Sequence, residues 1–284
     1  MKKTLYLDAG NTRVKAAVYE QGQWLPAGED AGAIPYDTPD FAERLSVICR
    51  GYDRVVFASV KKSLGPKELS RITDATVIPV ERSAIPGGRI RYRSMETFGV
   101  DRYLSCLGAW SLSRTEVIVA DAGTACTIDV MDADAVYLGG VIMPGLYMMI
   151  SSIGEGADGL YPVAPYASGS RAMQQQKTGT PGAGSRKSES RPFLPGSGAP
   201  RIQENWPPDT TEAALQAGTT GTFLAAWESH VRTTMDRFPD ARIWLTGGEA
   251  HFIYEHTSVN CRIHEYLVFE GMRRWCEENL RIFS

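Results

Sequence analysis

The chain has 284 residues, which exceeds one typical domain and is enough for two domains, each with its own core. Hydrophobic residues make up 43% and charged residues 22%, and the formal net charge of -3 argues against a nucleic-acid partner held by broad electrostatic attraction. The first residues carry no apolar signal segment, and no uncharged apolar stretch reaches roughly 18 residues, so we expect a cytoplasmic protein without a membrane span.

The first predicted element is a hairpin within LYLDAGNTRVKAAVY, residues 5–19. An apolar strand ends in Asp8, a tight turn follows at Gly10, and the returning strand carries Lys15. Exposed N–H groups in such a turn, with Thr12 nearby, form a concave anion site, and a carboxylate beside bound phosphate usually implies a divalent metal. The hairpin therefore suggests nucleotide-phosphate binding, although one copy alone is more often plain turn chemistry.

Helices and strands alternate over the rest of the first hundred residues, which predicts a mixed sheet with helices. The helices are TPDFAERLSVICRG and the short GPKELSRIT, and the strands are RVVFAS and TVIPV. A further amphipathic helix should begin near Thr97. Asp101 in its GVDR motif is a candidate general base, because amide dipoles and Arg102 would keep its carboxylate ionised. The alternative is an acid in the first helical turn that only favours the helix dipole.

A second copy of the hairpin lies at residues 117–131, VIVADAGTACTIDVM. Asp121 again ends an apolar strand, an Ala-Gly turn follows, and Thr124 stands where Asn11 stood. Two such half-sites about a hundred residues apart predict two similar sheets facing a cleft, the usual place for a nucleotide between domains. We expect the two domains to span residues 1–114 and 115–284.

The second half continues with a strand that runs through Pro144-Gly145 into an apolar helix. Residues from about 167 to 200 are rich in Gly, Ser, Pro and Gln, a composition typical of a flexible insertion. The segment DTTEAALQAGTTGTFLAAWESHVRTTM predicts a long helix, followed by the strand RIWLTGG and two helices. The Gly-Gly pair at 247–248 suits either an adenosine site or a plain turn.

Five scattered cysteines, Cys49, Cys106, Cys126, Cys261 and Cys276, form no CxxC pair. Their odd number and spacing predict reduced thiols that pack in the core, not a disulfide network.

The motifs DAGNTRVK, GVDR, DAGTACTID, GGVIMPG and DTTEAALQAG, in this order, resemble the type III pantothenate kinases of the acetate kinase, sugar kinase, Hsp70 and actin superfamily. The resemblance covers nearly the whole chain except the insertion. It implies an α/β fold of two actin-like, ribonuclease H-like domains, whose mixed sheets flank a nucleotide cleft. The implied activity is ATP-dependent phosphorylation of pantothenate to 4′-phosphopantothenate, the first step of coenzyme A biosynthesis, by a homodimer.

The same resemblance assigns roles to individual residues. Asp101 would be the base, Asp8 would serve Mg²⁺, and Asp121 would hold a monovalent cation, K⁺ or NH₄⁺. The residues implied to bind ATP are Asp8, Ala9, Gly10, Asn11, Thr12, Arg13, Val14, Lys15 and Thr124. The residues implied to bind pantothenate are Tyr92, Gly99, Val100, Asp101, Arg102 and Thr211. The alternatives are a regulatory protein that retains the fold and a sugar or acetate kinase with a different acceptor pocket.

Overall fold

The computed structural model describes residues 2–166 and 206–279, and the insertion expected at about 167–200 lies outside them. The strands are β1 Thr4–Ala9, β2 Arg13–Glu20, β3 Gln23–Pro26, β4 Ala33–Pro35, β5 Arg54–Ser59, β6 Thr76–Pro79, β7 Val117–Ala122, β8 Ala125–Met131, β9 Tyr137–Pro144, β10 Arg242–Thr246 and β11 Arg262–Ile263. The helices are α1 Phe41–Cys49, α2 Pro66–Leu69, α3 Val100–Ser113, α4 Leu146–Gly156, α5 Thr211–Gln216, α6 Thr222–Met235, α7 Ala250–His256 and α8 Leu267–Asn279.

Two mixed sheets share one strand order. The first runs β3-β2-β1-β5-β6, with β4 paired to β2, and the second runs β9-β8-β7-β10-β11. In each sheet the leading strand pairs antiparallel with the next strand and parallel with a later one. The expected α/β fold with two similar mixed sheets is confirmed.

The core forms layers on and between the sheets. Leu5 and Leu7 of β1 pack with α1 and α2, whereas Tyr6 joins a central cluster that contains α3 and α8. In the second sheet, Ile118 packs toward α6 and α7, whereas Val119 joins the central cluster. The period of two along each strand therefore gives both sheets one face toward a shared middle layer of α3 and α8.

Helices α3 and α8 cross at two glycines. A Cβ at Gly108 would overlap the main-chain oxygen of Leu267, and a Cβ at Gly271 would overlap the main-chain oxygen of Leu104. Only residues without a side chain allow the two backbones to approach this closely. Helix α3 lies before residue 114 and helix α8 lies after it, and the two pack against each other in one layer. This packing does not mark a division of the chain at residue 114, so that domain boundary stays a prediction.

Two sequence predictions need correction in detail. Helix α3 begins at Val100 and not near Thr97, because Phe98 and Gly99 are extended and only a short 3-10 turn, Met95–Thr97, precedes them. The long helix predicted after Asp209 begins at Thr211, with the Thr210 side chain accepting a hydrogen bond from the Ala213 amide. A π-helical turn, Ala217–Gly221, then separates α5 from α6.

Among residues 2–166 and 206–279, no helix is both long and apolar enough to cross a membrane. All five cysteines are free and buried, as their spacing predicted.

Candidate active site

The two hairpin acids face the same layer. Asp8 lies two residues after Tyr6 on β1, and Asp121 lies two residues after Val119 on β7, so each carboxylate continues the strand face that meets α3 and α8. Asp101 lies in the first turn of α3. The fold thus brings together three acids that are far apart in sequence, and the pKa of Asp101 is raised partly by the charges of the other two.

Three main-chain oxygens in the turn of the first hairpin accept hydrogen bonds from residues outside the hairpin. The Tyr36 hydroxyl donates to the Gly10 oxygen (3.0 Å), Lys61 Nζ donates to the Asn11 oxygen (3.2 Å), and the Tyr36 amide donates to the Thr12 oxygen (3.1 Å). Within the described residues the amides of Asn11 and Thr12 donate no hydrogen bond. Unpaired N–H groups in a turn favour an anion.

The second hairpin meets the first at its tip, where Thr12 Oγ1 and Thr124 Oγ1 are 3.2 Å apart. Its turn is one residue shorter, since residues 123–125 connect its last strand pair and residues 10–13 connect that of the first. The residue before α4 packs directly against this turn. The Gly145 amide donates to the Thr124 oxygen (3.1 Å), and a Cβ at Gly145 would overlap the backbone of the turn.

Asp101 is positioned by the extended residue before its helix. Gly99 adopts an extended conformation and precedes α3, and a Cβ on it would lie 2.5 Å from Asp101 Oδ1. The Arg102 amide donates to the same oxygen at 2.9 Å. The carboxylate therefore lies at a helix N-terminus, with the glycine leaving room for it.

Burial raises the pKa of four acids near the two hairpins: Asp8, Asp101, Asp121 and Glu249. Burial, together with the charges of neighbouring carboxylates, raises the pKa of Asp8 to about 6 and that of Asp101 to about 7. Desolvation also raises the pKa of Asp121, and it raises that of Glu249 to about 7. Lys15 opposes these shifts at Asp8, Asp121 and Glu249. A bound cation would favour the ionised form of all four acids.

Arg102 is enclosed beside Asp101. Its guanidinium pairs with Asp129 on β8 at 2.6 Å, and both side chains are buried. The rings of Tyr92, Phe98 and Tyr137 lie 5.7–6.0 Å from the guanidinium carbon. Tyr92 therefore lies next to Arg102, and the shared role of the two residues toward pantothenate stays a prediction.

The Gly-Gly pair closes on the second hairpin. Gly247 has φ of +91°, and a Cβ there would lie 2.7 Å from Asp121 Oδ1 and would overlap the Ala122 oxygen. The next acid, Glu249, donates its amide to the Ala122 oxygen at 3.0 Å, and its Oε2 is buried without a hydrogen-bond partner in the described chain. The turn therefore packs directly against the second hairpin, and its role toward adenosine stays a prediction.

Thr211 is not connected to the other residues that are expected to bind pantothenate. It lines a cavity of about 400 Å³ between α4 and α5, together with Ile153, Leu160, Ala214, Leu215, Gly218 and Thr219. In the described residues, no hydrogen bond or ring contact connects Thr211 with Tyr92 or Asp101. Its role toward pantothenate stays a prediction.

Sequence reasoning missed three contributors to the cleft: Tyr36, Lys61 and Glu249. Tyr36 follows β4 and Lys61 follows β5, and both reach the first turn only because these strands belong to the same sheet as β1 and β2. An acid directly after Gly-Gly is a local signal that could have indicated Glu249.

Paired hairpins of the phosphate-binding type on two sheets of identical strand order, with acids converging between them, are typical of ATP-dependent phosphotransferases with an actin-like fold. Two solved structures have this fold over nearly the full chain. A protein named as a Baf family transcriptional activator from Campylobacter jejuni is 18% identical, with TM-score 0.54, covering 97% of this chain and 98% of the other. A protein named as a 2-dehydro-3-deoxygalactonokinase from Sinorhizobium meliloti is 13% identical, with TM-score 0.50, covering 98% and 100%. These likenesses show the fold alone.

The family model for type III pantothenate kinase matches residues 4–180. The type III pantothenate kinase of Dechloromonas aromatica is 31% identical, covering 94% of this chain and 96% of the relative, and that of Herminiimonas arsenicoxydans is 28% identical, covering 94% and 95%. The chain belongs to the type III pantothenate kinase family. The expected enzyme class and activity, ATP-dependent phosphorylation of pantothenate for coenzyme A biosynthesis, are confirmed.

Proposed function

We propose that the chain transfers the γ-phosphoryl group of ATP directly to the pantothenate hydroxyl, in line and without a phosphoenzyme, with Asp101 as the base. The observation that carries this mechanism is the convergence of Asp101 with Asp8 and Asp121 in one cleft. Phosphoryl transfer needs little covalent help from a protein, so positioning and charge stabilisation supply most of the catalysis. Asp101 accepts the hydroxyl proton as the oxygen attacks phosphorus.

The first hairpin holds the ATP phosphates in this mechanism. The free amides of Asn11 and Thr12 face the anion, since the carbonyl groups of the turn are bonded to Tyr36 and Lys61 on the other side. Lys15 supplies positive charge, and Thr124 approaches from the second hairpin. The remaining residues expected at ATP, Ala9, Gly10, Arg13 and Val14, form the rest of this hairpin.

The donor set fits both expected metals. Asp8 is buried, and its carboxylate accepts no hydrogen bond within the described residues, as suits Mg²⁺ held by one or two carboxylates and the substrate phosphates. Asp121 Oδ1 and the Ala122 oxygen converge on the bare Gly247, which leaves oxygen donors for K⁺ or NH₄⁺ at Asp121. When bound, these cations neutralise phosphate charge.

The acceptor pocket is assigned to Tyr92, Gly99, Val100, Arg102 and Thr211. We propose that a second copy completes it, because large apolar side chains are exposed on β9, on α4 and just after α4: Ile142, Tyr147, Met148, Leu160 and Tyr161. Leu160 also lines the cavity at Thr211. Exposed large apolar side chains of this kind are typical of a protein interface. The free, buried thiols suit the reducing cytoplasm, where we place the enzyme.

The direct test is phosphorylation of pantothenate by the purified protein with ATP, in potassium and in sodium salts. Asp101→Asn should bind ATP normally but lose about 10²- to 10⁴-fold in kcat, because the isosteric amide cannot accept the proton. A kcat near that of the wild type in this variant would remove Asp101 from the mechanism.

A further inference from the structure

A buried polar network surrounds the side chain that follows the base. Arg102 donates to Asp129 Oδ1 through Nη2 (2.6 Å) and Nε (3.0 Å). The Tyr137 hydroxyl donates to Asp129 Oδ1 (2.6 Å), and Thr127 Oγ1 donates to Asp129 Oδ2 (2.7 Å). Asp129 is fully buried, and its carboxylate accepts four hydrogen bonds of 3.0 Å or less. The orientation of the carboxylate is therefore fixed from several directions.

The strand beside Asp129 makes room for this network. A Cβ at Gly140 on β9 would overlap Asp129 Oδ1 and the Ile128 oxygen. Asp129 also pairs with Val119 on β7, the strand that ends in Asp121. The carboxylate of Asp129 is therefore part of the rigid second sheet that carries the second nucleotide hairpin.

We propose that Asp129 is a positioning residue for phosphoryl transfer, acting through Arg102 on Asp101. This inference rests on the proposed function, in which Asp101 is the base. Arg102 and Asp101 are consecutive residues of the first turn of α3, and the Arg102 amide also donates to Asp101 Oδ1. A guanidinium that donates two N–H groups to Asp129 Oδ1 cannot rotate freely, so it sets the orientation of that turn.

These contacts connect the second hairpin to the proposed base. Asp129 lies on a strand of that hairpin, it binds Arg102, and Arg102 follows Asp101 in the same helical turn. Without the Asp129 charge, the guanidinium would lie uncompensated among Tyr92, Phe98 and Tyr137, and the helix start would rearrange. A small displacement of the base lowers the rate of transfer more than it weakens ATP binding.

The test compares Asp129→Asn with the double variant Arg102→Met/Asp129→Leu. Replacing both partners of a buried pair with apolar residues removes the uncompensated charge, so the double variant should regain the urea unfolding midpoint that Asp129→Asn loses. We expect both variants to show kcat at saturating pantothenate at least tenfold below wild type, with the KM for ATP within threefold. A kcat within threefold of wild type in the double variant, or in a folded Asp129→Asn, would overturn the proposal.

Two further variants keep the result interpretable. Glu270→Gln alters another buried acid with an arginine partner, Arg273, and should lower the unfolding midpoint with kcat within threefold; an equal loss of kcat there would overturn the proposal. If Asp129→Asn does not fold, Tyr137→Phe removes one hydrogen bond from Asp129 and should lower kcat about threefold or more, and an unchanged kcat would contradict us. Asp101→Asn separates the two hypotheses. If this variant keeps its kcat, Asp101 is not the base and the proposed function fails. If it loses kcat while the Asp129 variants keep theirs, only the positioning role of Asp129 is refuted.

Discussion

Replacing Asp101 with Asn should stabilise the fold at neutral and alkaline pH. Desolvation, followed by the charges of Asp8 and Asp121, raises the pKa of Asp101 from 3.8 to about 7 in the folded protein. The folded state then binds this proton more tightly than the unfolded chain, so wild-type stability falls as pH rises from about 4 to about 7 and levels off above. Asn carries no such proton and lacks this loss.

The magnitude follows from the shift. About three pKa units at about 1.4 kcal/mol each correspond to about 4 kcal/mol of destabilisation once Asp101 is fully ionised. Integrated between pH 5 and pH 8, the free energy of unfolding of Asp101→Asn should gain about 2–3 kcal/mol relative to the wild type. Under the proposed mechanism, the carboxylate that acts as the base therefore lowers the stability of the fold at neutral pH.

Urea unfolding of both proteins without nucleotide, at pH 5, 6, 7 and 8, measures this difference. Asp158→Asn, which removes an exposed acid, is the control. A constant difference between Asp101→Asn and the wild type across this range would show that Asp101 is not destabilised by its surroundings. Lower stability of Asp101→Asn at pH 8 than at pH 5, relative to the wild type, would reverse the sign of the argument.

Three other changes test neighbouring parts of the site. Tyr36→Phe removes one hydrogen bond to the phosphate turn and should raise the KM for ATP about two- to tenfold while that for pantothenate stays constant, as steady-state kinetics would show. Potassium should support higher activity than sodium in the wild type, and Asp121→Ala should abolish this difference; equal wild-type rates in the two salts would contradict the cation assignment. Tyr147→Asp should shift the protein from dimer to monomer in light scattering, whereas Val47→Asp, an equally exposed apolar site on α1, should not.

Local chemistry explains why both hairpins were predictable. Each combines an apolar strand, an acid and a glycine turn within fifteen residues, so the pattern needs no information about distant contacts. The sequence predicts the start of α3 too early, because it does not show that Phe98 and Gly99 are extended.

Long-range pairing explains what the sequence could not reveal. Asp129 was visible in its motif, but its partner Arg102 lies 27 residues away on a helix. Lys61 meets the first turn only through the parallel pairing of β5 with β1. Such contacts depend on strand order, which neither composition nor periodicity specifies.

The glycine crossing of α3 and α8 limits which substitutions the protein can tolerate. In most helix contacts a larger side chain can be accommodated when the facing residue becomes smaller. At Gly108 and Gly271 the obstacle is the facing main chain, so no second-site suppressor on the opposite helix can relieve a Cβ at either position. Each glycine is thus constrained independently of the other, and the placement of Asp101, on the same helix as Gly108, is sensitive to a side chain added at Gly271 in the other half of the chain.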